Sequence, residues 1–234
     1  MVEQLSTSLT IPSGRVCGAK VIEVYEDTKK ELLEICQKMV EKDLVIGSSG
    51  NASVRVDDYI VITPSSIHYA DMKADDMVVI DLDGEVIEGT RNPSVEWQMH
   101  LELYNTRSVV GAVVHTHSIY ASAMAVLNES LPPIIDETVP KLGSHIRVTE
   151  YAIPGTKQLG ANVRKAIEDR SAALIANHGA VCIAKTLEKA LHLAMVLERT
   201  CKIYMISKQI GTPKHLPDEV VEDEQDLWEM MSGY

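Results

Sequence analysis

The sequence predicts a single α/β domain in which a central, mostly antiparallel sheet is flanked by helices. Three observations lead there. The chain has 234 residues, 45% hydrophobic and 24% charged, close to globular averages. That length allows one large domain or two small ones, and a single core can bury most of its apolar surface. Two hairpin signatures, NASVRV–YIVITP and MVVI–EVIEG, stand among segments of helical periodicity. Helices and hairpins also mix without a βαβ rhythm or an internal repeat, which favours antiparallel pairing with helices laid on the sheet.

Residues 1–15 are polar, contain Pro12 and Gly14, and read as a flexible arm. From Glu26 to Leu44, apolar residues recur at helical spacing (Leu32, Leu33, Cys36, Met39, Val40), and Thr28 with Glu31 fits a capping box. GSSGN (47–51) is a glycine-rich turn. The runs NASVRV and YIVITP, joined at Asp57-Asp58, form the first hairpin, and the second turns at Asp83-Gly84. Asn92-Pro93 predicts a helix start, a cap residue followed by proline, leading into SVEWQMHLELYNTR. GAVVHTHS reads as a buried strand and IYASAMAVLN as a helix, whereas Pro132–Tyr151 carries no clear period. GTKQLGANVRKAIEDR predicts a helix. ALIANHGAVCIA predicts two strands around an Asn-His-Gly turn, and a long amphipathic helix then ends at Gly211. Domain boundaries therefore fall at 16–211, with an acidic tail at 212–234 that holds a short helix near Leu227–Met231.

Composition narrows the function. There is no Phe, so the core draws on aliphatic residues and ten Met. The net charge of −12, from 22 basic and 34 acidic residues with no Lys/Arg cluster, argues against a nucleic-acid footprint. An anionic substrate is still allowed, because local backbone N–H groups and one metal ion outweigh a distant negative field. Cys17, Cys36, Cys182 and Cys201 are scattered, with no CxxC pair, and read as buried apolar residues. The N-terminus lacks a basic segment followed by an apolar stretch, and no apolar run approaches the roughly 18 residues of a membrane span. A cytoplasmic protein is the expectation.

The chemistry concentrates in a few residues. His68, His100, His145, His192 and His215 stand singly, as surface or satisfied core histidines usually do. His115 and His117 differ: on a strand, residues i and i+2 share a face, so two imidazoles can converge on one point. Exposed strand histidines are the competing reading. His178 sits at the tight turn of Asn177-His178-Gly179, where it is either a third ligand or a locally bonded turn residue. Three neutral nitrogens suit zinc and leave a coordination position open, although ligand type alone does not separate zinc from manganese, iron or cobalt. Glu96, soon after Pro93-Ser94, is the candidate acid/base, against the simpler reading of a carboxylate stabilised by a helix dipole. With His100 four residues on, a Glu-His metal pair also has to be weighed. Two polar turns, 47–51 and Thr63-Pro64-Ser65-Ser66, are candidate anion sites, each weak alone.

Taken in order, GNASVR, ITPSS, PSVEW, VVHTHS and NHG resemble the landmarks of class II aldolases of the fuculose-phosphate type. That family also includes ribulose-phosphate 4-epimerases, methylthioribulose-phosphate dehydratases and the adducin head domain. The resemblance spans Thr28 to Gly211. It implies zinc held by His115, His117 and His178, with Glu96 completing the shell or acting as acid/base. It further implies a phosphate pocket of Gly50, Asn51, Ser65, Ser66 and Ser94, and a homotetramer with active sites at subunit boundaries. The implied reaction is retro-aldol cleavage of a ketose 1-phosphate, of fuculose, deoxypentulose or methylthiopentulose type, to dihydroxyacetone phosphate and an aldehyde.

This chain departs from the family pattern in places. Val95 stands where a second hydroxyl residue is common, and Ser66 where glycine is common. Asp136-Glu137 replaces a tyrosine, which makes Glu137 the candidate second acid, and Tyr234 corresponds to a second family tyrosine. These positions handle the aldehyde end. The resemblance leaves open a dehydratase, an epimerase or a decarboxylase on the same metal site, the epimerases tending to carry Asp at the Glu96 position. It leaves open, too, a non-catalytic adducin-like module, which would have no reason to keep three imidazoles and a carboxylate together.

Overall fold

Why the sheet forms is visible in its alternation. In the computed structural model, which describes residues 18–232, the strands other than the exposed edge strand β4 send alternate side chains to opposite faces of the sheet, each covered by a core. The strands are β1 (Asn51–Val56), β2 (Tyr59–Ile62), β3 (Val78–Asp81), β4 (Val86–Glu88), β5 (Ala112–Thr116), β6 (Ala172–Ile175) and β7 (Gly179–Ala184). They form one seven-stranded sheet in the order β4-β3-β2-β1-β5-β7-β6, and all six ladders are antiparallel. Ala52, Val61, Val79, Val114 and Cys182 enter one core; Ile60, Ile62, Val78, Val113, Val181 and Ile183 enter the other. Since both faces are covered, a one-residue slip would exchange the two sets of side chains, and register is strongly fixed.

Helices α1 (Gly18–Glu41), α3 (Ile119–Leu127) and α6 (Leu187–Ile210) cover the first face; α2 (Trp97–Tyr104) and α5 (Lys157–Ile167) cover the second. A short α4 (Val139–Leu142) and α7 (Asp218–Ser232) pack together beside α6. The two hairpins, the strand GAVVHT, the strand pair around Asn177 and the long helix ending at Gly211 are all present. No helix among the described residues is long and apolar enough to cross a membrane. Cys36, Cys182 and Cys201 are buried free thiols. Residues 1–15, Cys17 and Tyr234 lie outside the described residues.

Four boundaries differ from the sequence reading. Helix α1 begins at Gly18, so Thr28 lies inside it and not at its start; buried Tyr25 lies one heptad before Leu32 and extends the apolar stripe backwards. Helix α2 begins at Trp97, not Pro93. Residues 92–94 are instead drawn across to the 63–65 turn: Pro93 bridges Pro64, Ser94 N–H donates to Thr63 O (2.9 Å), and Ser65 N–H donates to Asn92 O (2.9 Å). Tertiary pairing here overrides a local helix start. The tail helix α7 is far longer than 227–231 because it has something to bury: Trp228 is 1% exposed and its Nε1 donates to Ser171 Oγ at 2.9 Å. The unassigned 132–151 segment contains α4 and an antiparallel bridge between Leu131 and Ile146.

Candidate active site

The register of the sheet builds the site. Asn51 on β1 lies opposite His115 on β5, and His115 opposite Val181 on β7. His115 shares the parity of Val113, so it points to the face covered by α2; Asn51 and Ser53, flanking Ala52 on β1, point the same way. His117 follows just beyond the end of β5, and His178 occupies the β6–β7 turn, where Asn177 adopts φ 56°. The three imidazoles converge with ring centroids 4.8–4.9 Å apart and nearly perpendicular planes. Together they form a group that can hold a metal ion, their ligand atoms all within 4.8 Å of one another.

Two glycines make this approach possible. Gly50 has φ 72°, and a Cβ there would lie 2.7 Å from both His115 O and a Val45 methyl. At Gly179 a Cβ would meet Thr116 O at 2.2 Å and His117 Cδ2 at 3.2 Å. Any side chain at either position would push apart the strands that carry the histidines.

The electrostatics ask for a cation. His115 Nδ1 donates to Ala180 O (2.9 Å), so in the neutral imidazole Nε2 carries only a lone pair. That lone pair faces Glu96 Oε2 at 3.1 Å and His117 Nε2 at 3.0 Å. A lone pair against a carboxylate is repulsive unless a proton or a metal ion lies between them. Glu96 is 4% exposed; its Oε2 also accepts from Asn51 Nδ2 (2.8 Å), while its buried Oε1 has no hydrogen-bond partner and faces His178 Nε2 at 3.6 Å. Burial works to raise the Glu96 carboxyl, but His115, His178 and the Asn51 amide outweigh it and hold it well below the usual carboxylate range. Burial opposes a charge on His115 too, and the adjacent carboxylate overcomes that, shifting it upward. Burial and then the charge of His115 lower His117 to about 3 and His178 to about 4, keeping both neutral, the form that ligates metal. Orphaned Glu96 Oε1, paired acceptors and neutral imidazoles make a donor set that fits a divalent cation.

A cleft of about 230 Å³ opens beside this cluster, lined by residues 48–51, 64–66 and 94–96 together with His117, Pro154 and His178. The structure thus brings together Gly50, Asn51, Ser65, Ser66, Ser94, Glu96, His117 and His178 at one cleft, with His115 directly behind. Glu96 is the residue before α2, not a first-turn residue, and its N–H points to Ser94 Oγ at 3.3 Å. Ser66 adopts φ 61°, the left-handed region, which explains why glycine serves well there. Glu137 is elsewhere: near the start of α4 it pairs with Arg199 (2.5 Å) and Lys141 (3.7 Å), and it does not line the cleft. The sequence leaves His100 a solitary histidine or half of a Glu-His metal pair and gives Ser53 and Tyr104 no role, yet all three are buried beneath the cleft in one chain of contacts that reaches Asn51 through His100. The signal was present as spacing: 100 and 104 on one helix face, 51 and 53 on one strand face.

Known proteins resemble this chain in sequence and fold. The profile of the Class II Aldolase and Adducin N-terminal domain matches residues 30–205. A 5-deoxy-D-ribulose 1-phosphate aldolase of Bacillus thuringiensis serovar kurstaki is 38% identical over 213 residues, covering 90% of this chain and 98% of the relative. A 5-methylthioribulose-1-phosphate/5-deoxyribulose-1-phosphate aldolase of Rhodospirillum rubrum is 36% identical, with 82% of this chain and 86% of the relative covered. The solved structure of an L-fuculose 1-phosphate aldolase, 41% identical, superposes with a TM-score of 0.83 over 87% of this chain and 96% of its own. With the profile spanning most of its length and relatives matched almost end to end, the chain belongs to the class II aldolase and adducin family.

Proposed function

We propose that this protein is a zinc-dependent aldolase that cleaves a ketose 1-phosphate, of 5-deoxyribulose, 5-methylthioribulose or fuculose type, to dihydroxyacetone phosphate and an aldehyde. The observation that carries the reading is the meeting of three histidines and one buried carboxylate at a serine-lined cleft. Relatives matched over 79–90% of this chain are named as aldolases of such phosphates.

His115, His117 and His178 would hold the ion, and a bound divalent cation supplies Lewis-acid polarisation of the substrate's carbonyl and hydroxyl oxygens. Gly50, Ser65, Ser66 and Ser94 would cradle the phosphate through hydroxyls and backbone N–H groups. Asn51 has both ends of its amide engaged within the protein, so we assign its side chain to Glu96. As the C3–C4 bond breaks, the C4 hydroxyl gives up its proton to become the aldehyde, and C3 must gain one. Glu96, ionised in the resting site, is the base that takes the C3 proton in the condensation direction; on cleavage it first takes up a proton from solvent and passes it to C3. Among the described residues, those lining the cleft include no tyrosine and no carboxylate besides Glu96 to serve the C4 hydroxyl. Glu137 and Tyr234 are our candidates, supplied by a neighbouring copy in a homotetramer, and a phosphorylated substrate suits a cytoplasmic setting.

The test is a panel of ketose 1-phosphates, with dihydroxyacetone phosphate formation coupled to its reduction. Turnover of at least one member is expected, and no dihydroxyacetone phosphate from any of them would refute the aldolase reading. Loss of water, inversion at C4 or release of carbon dioxide instead would identify the dehydratase, epimerase or decarboxylase alternatives. Purified protein without a stoichiometric divalent metal would favour an adducin-like module.

A further inference from the structure

Beneath the cleft runs a buried polar chain that connects β1 to α2. Asn51 and Ser53 lie two apart on one strand face; His100 and Tyr104 lie four apart on one helix face. All four are 5% exposed or less. The contacts run from Tyr104 OH to Ser53 Oγ (2.7 Å), Ser53 Oγ to His100 Nδ1 (2.6 Å), His100 Nε2 to Asn51 Oδ1 (2.5 Å), and Asn51 Nδ2 to Glu96 Oε2 (2.8 Å).

The carboxylate fixes the direction of every bond. Ionised Glu96 can only accept, so the Asn51 NH₂ must face it and the amide oxygen must face His100. That oxygen can only accept, so His100 Nε2 carries the proton. A neutral imidazole then has a bare Nδ1, which takes the Ser53 hydroxyl proton, and Ser53 in turn accepts from Tyr104. All donors point toward the carboxylate. Aligned hydrogen bonds polarise one another, and a buried carboxylate is the acceptor that gains most from this. Reversing the Asn51 amide would set its oxygen against Glu96 Oε2. The Nε2–H tautomer of His100 is what makes that reversal unfavourable.

We propose that His100 is a positioning residue that locks the Asn51 amide and thereby aims the Glu96 carboxylate, with Ser53 and Tyr104 fixing its tautomer. The inference rests on the reading of Glu96 as the proton carrier. A packing role alone would need the volume of these side chains but no particular direction, and would not act through Glu96.

The experiment compares His100→Phe, which keeps a ring without its nitrogens, with His100→Gln, which restores an N–H at similar reach, in the metal-loaded protein. His100→Phe should lower kcat roughly ten- to a hundredfold, the effect of freeing the Asn51 amide and so weakening its charge-assisted hydrogen bond to Glu96, with KM and bound metal near wild type. His100→Gln should recover much of that loss. In a Glu96→Gln background, His100→Phe should cause no further fall, because both changes remove one function. A loss that multiplies fully in that background, or one confined to KM or metal content, would overturn the proposal. Nitrogen-15 spectra of histidine-labelled protein should show His100 protonated at Nε2 and bare at Nδ1, and the opposite tautomer would overturn the proposal even if His100→Phe fails to fold. Should Glu96→Gln itself keep full turnover, the functional reading fails, while the tautomer still reports on the chain of hydrogen bonds.

Discussion

Glu96→Gln separates the chemistry of the site from its architecture. Glutamine is isosteric with glutamate, its carbonyl can still accept from Asn51 Nδ2, now at 2.8 Å from Glu96, and the three imidazoles are untouched. The carboxylate is 4% exposed, and no second carboxylate among the described residues lines the cleft to replace it as a base. What disappears is the group facing His115 at 3.1 Å and His178 at 3.6 Å that can carry a proton to and from carbon. General acid–base transfer contributes about 10²–10⁴-fold, so the barrier should rise by roughly 3–5 kcal/mol. The assay pairs kcat, from dihydroxyacetone phosphate release, with metal content by elemental analysis on the same preparation. Metal should remain near one per chain while kcat falls a hundredfold or more. Near-normal kcat with full metal would remove Glu96 from proton transfer; loss of metal together with activity would make it a ligand first.

Other consequences follow from the same geometry. Gly179→Ala places a methyl 2.2 Å from Thr116 O and beside His117, so strain of about 1–3 kcal/mol should appear as a lower Tm, with weakened metal binding; an unchanged Tm would show that the β5–β7 contact yields easily. Ser66→Gly relieves a left-handed residue and should stabilise by up to about 1 kcal/mol after the greater freedom of the unfolded glycine is subtracted; a raised KM in this variant would assign the hydroxyl to phosphate binding, and an unchanged KM would assign the backbone N–H. The metal-free protein should lose stability on acidification. Burial holds His100 down at about 3, so below the ordinary value of 6.5 the unfolded chain takes up a proton that the folded one refuses. The stability this contributes is complete above 6.5 and falls with pH by up to about 1.4 kcal/mol per unit for that single group. His117 and His178 act in the same direction, and His115, shifted upward, acts in the opposite one. A urea midpoint that stays flat from pH 7 to 5 would contradict this balance. Adding zinc to the apoprotein should raise Tm with concentration, the added stability reaching about 2.7 kcal/mol at a hundred times Kd, and the His178→Ala variant should lose most of that response.

Much of the molecule is legible before folding because the relevant signals are local. Alternation in NASVRV and YIVITP is a property of neighbouring residues, and so is the His115-Thr116-His117 spacing that puts two imidazoles on one side. The class of fold, both hairpins and the histidine pair therefore follow from sequence. Pairing across the chain does not. Asn92-Pro93 has the local chemistry of a helix start, yet hydrogen bonds to the 63–65 turn hold it extended and bring Ser94 beside Ser65. The length of α7 depends on a slot for Trp228 made by residues nearly sixty positions earlier.

The three histidines were named from sequence, and their environment was decided by packing. Only the register of Asn51 against His115, with α2 laid across both, shows that Glu96 shares its space with all three imidazoles. That same contact turns His100 from a solitary residue into part of a directed chain of hydrogen bonds, and leaves Glu137 paired with Arg199 instead of lining the cleft. Residue types and spacings determine which groups are able to ligate or carry protons. Which of them meet in a water-poor space, and with what orientation, depends on contacts between segments far apart in the chain, because burial and hydrogen-bond direction are properties of the assembled fold.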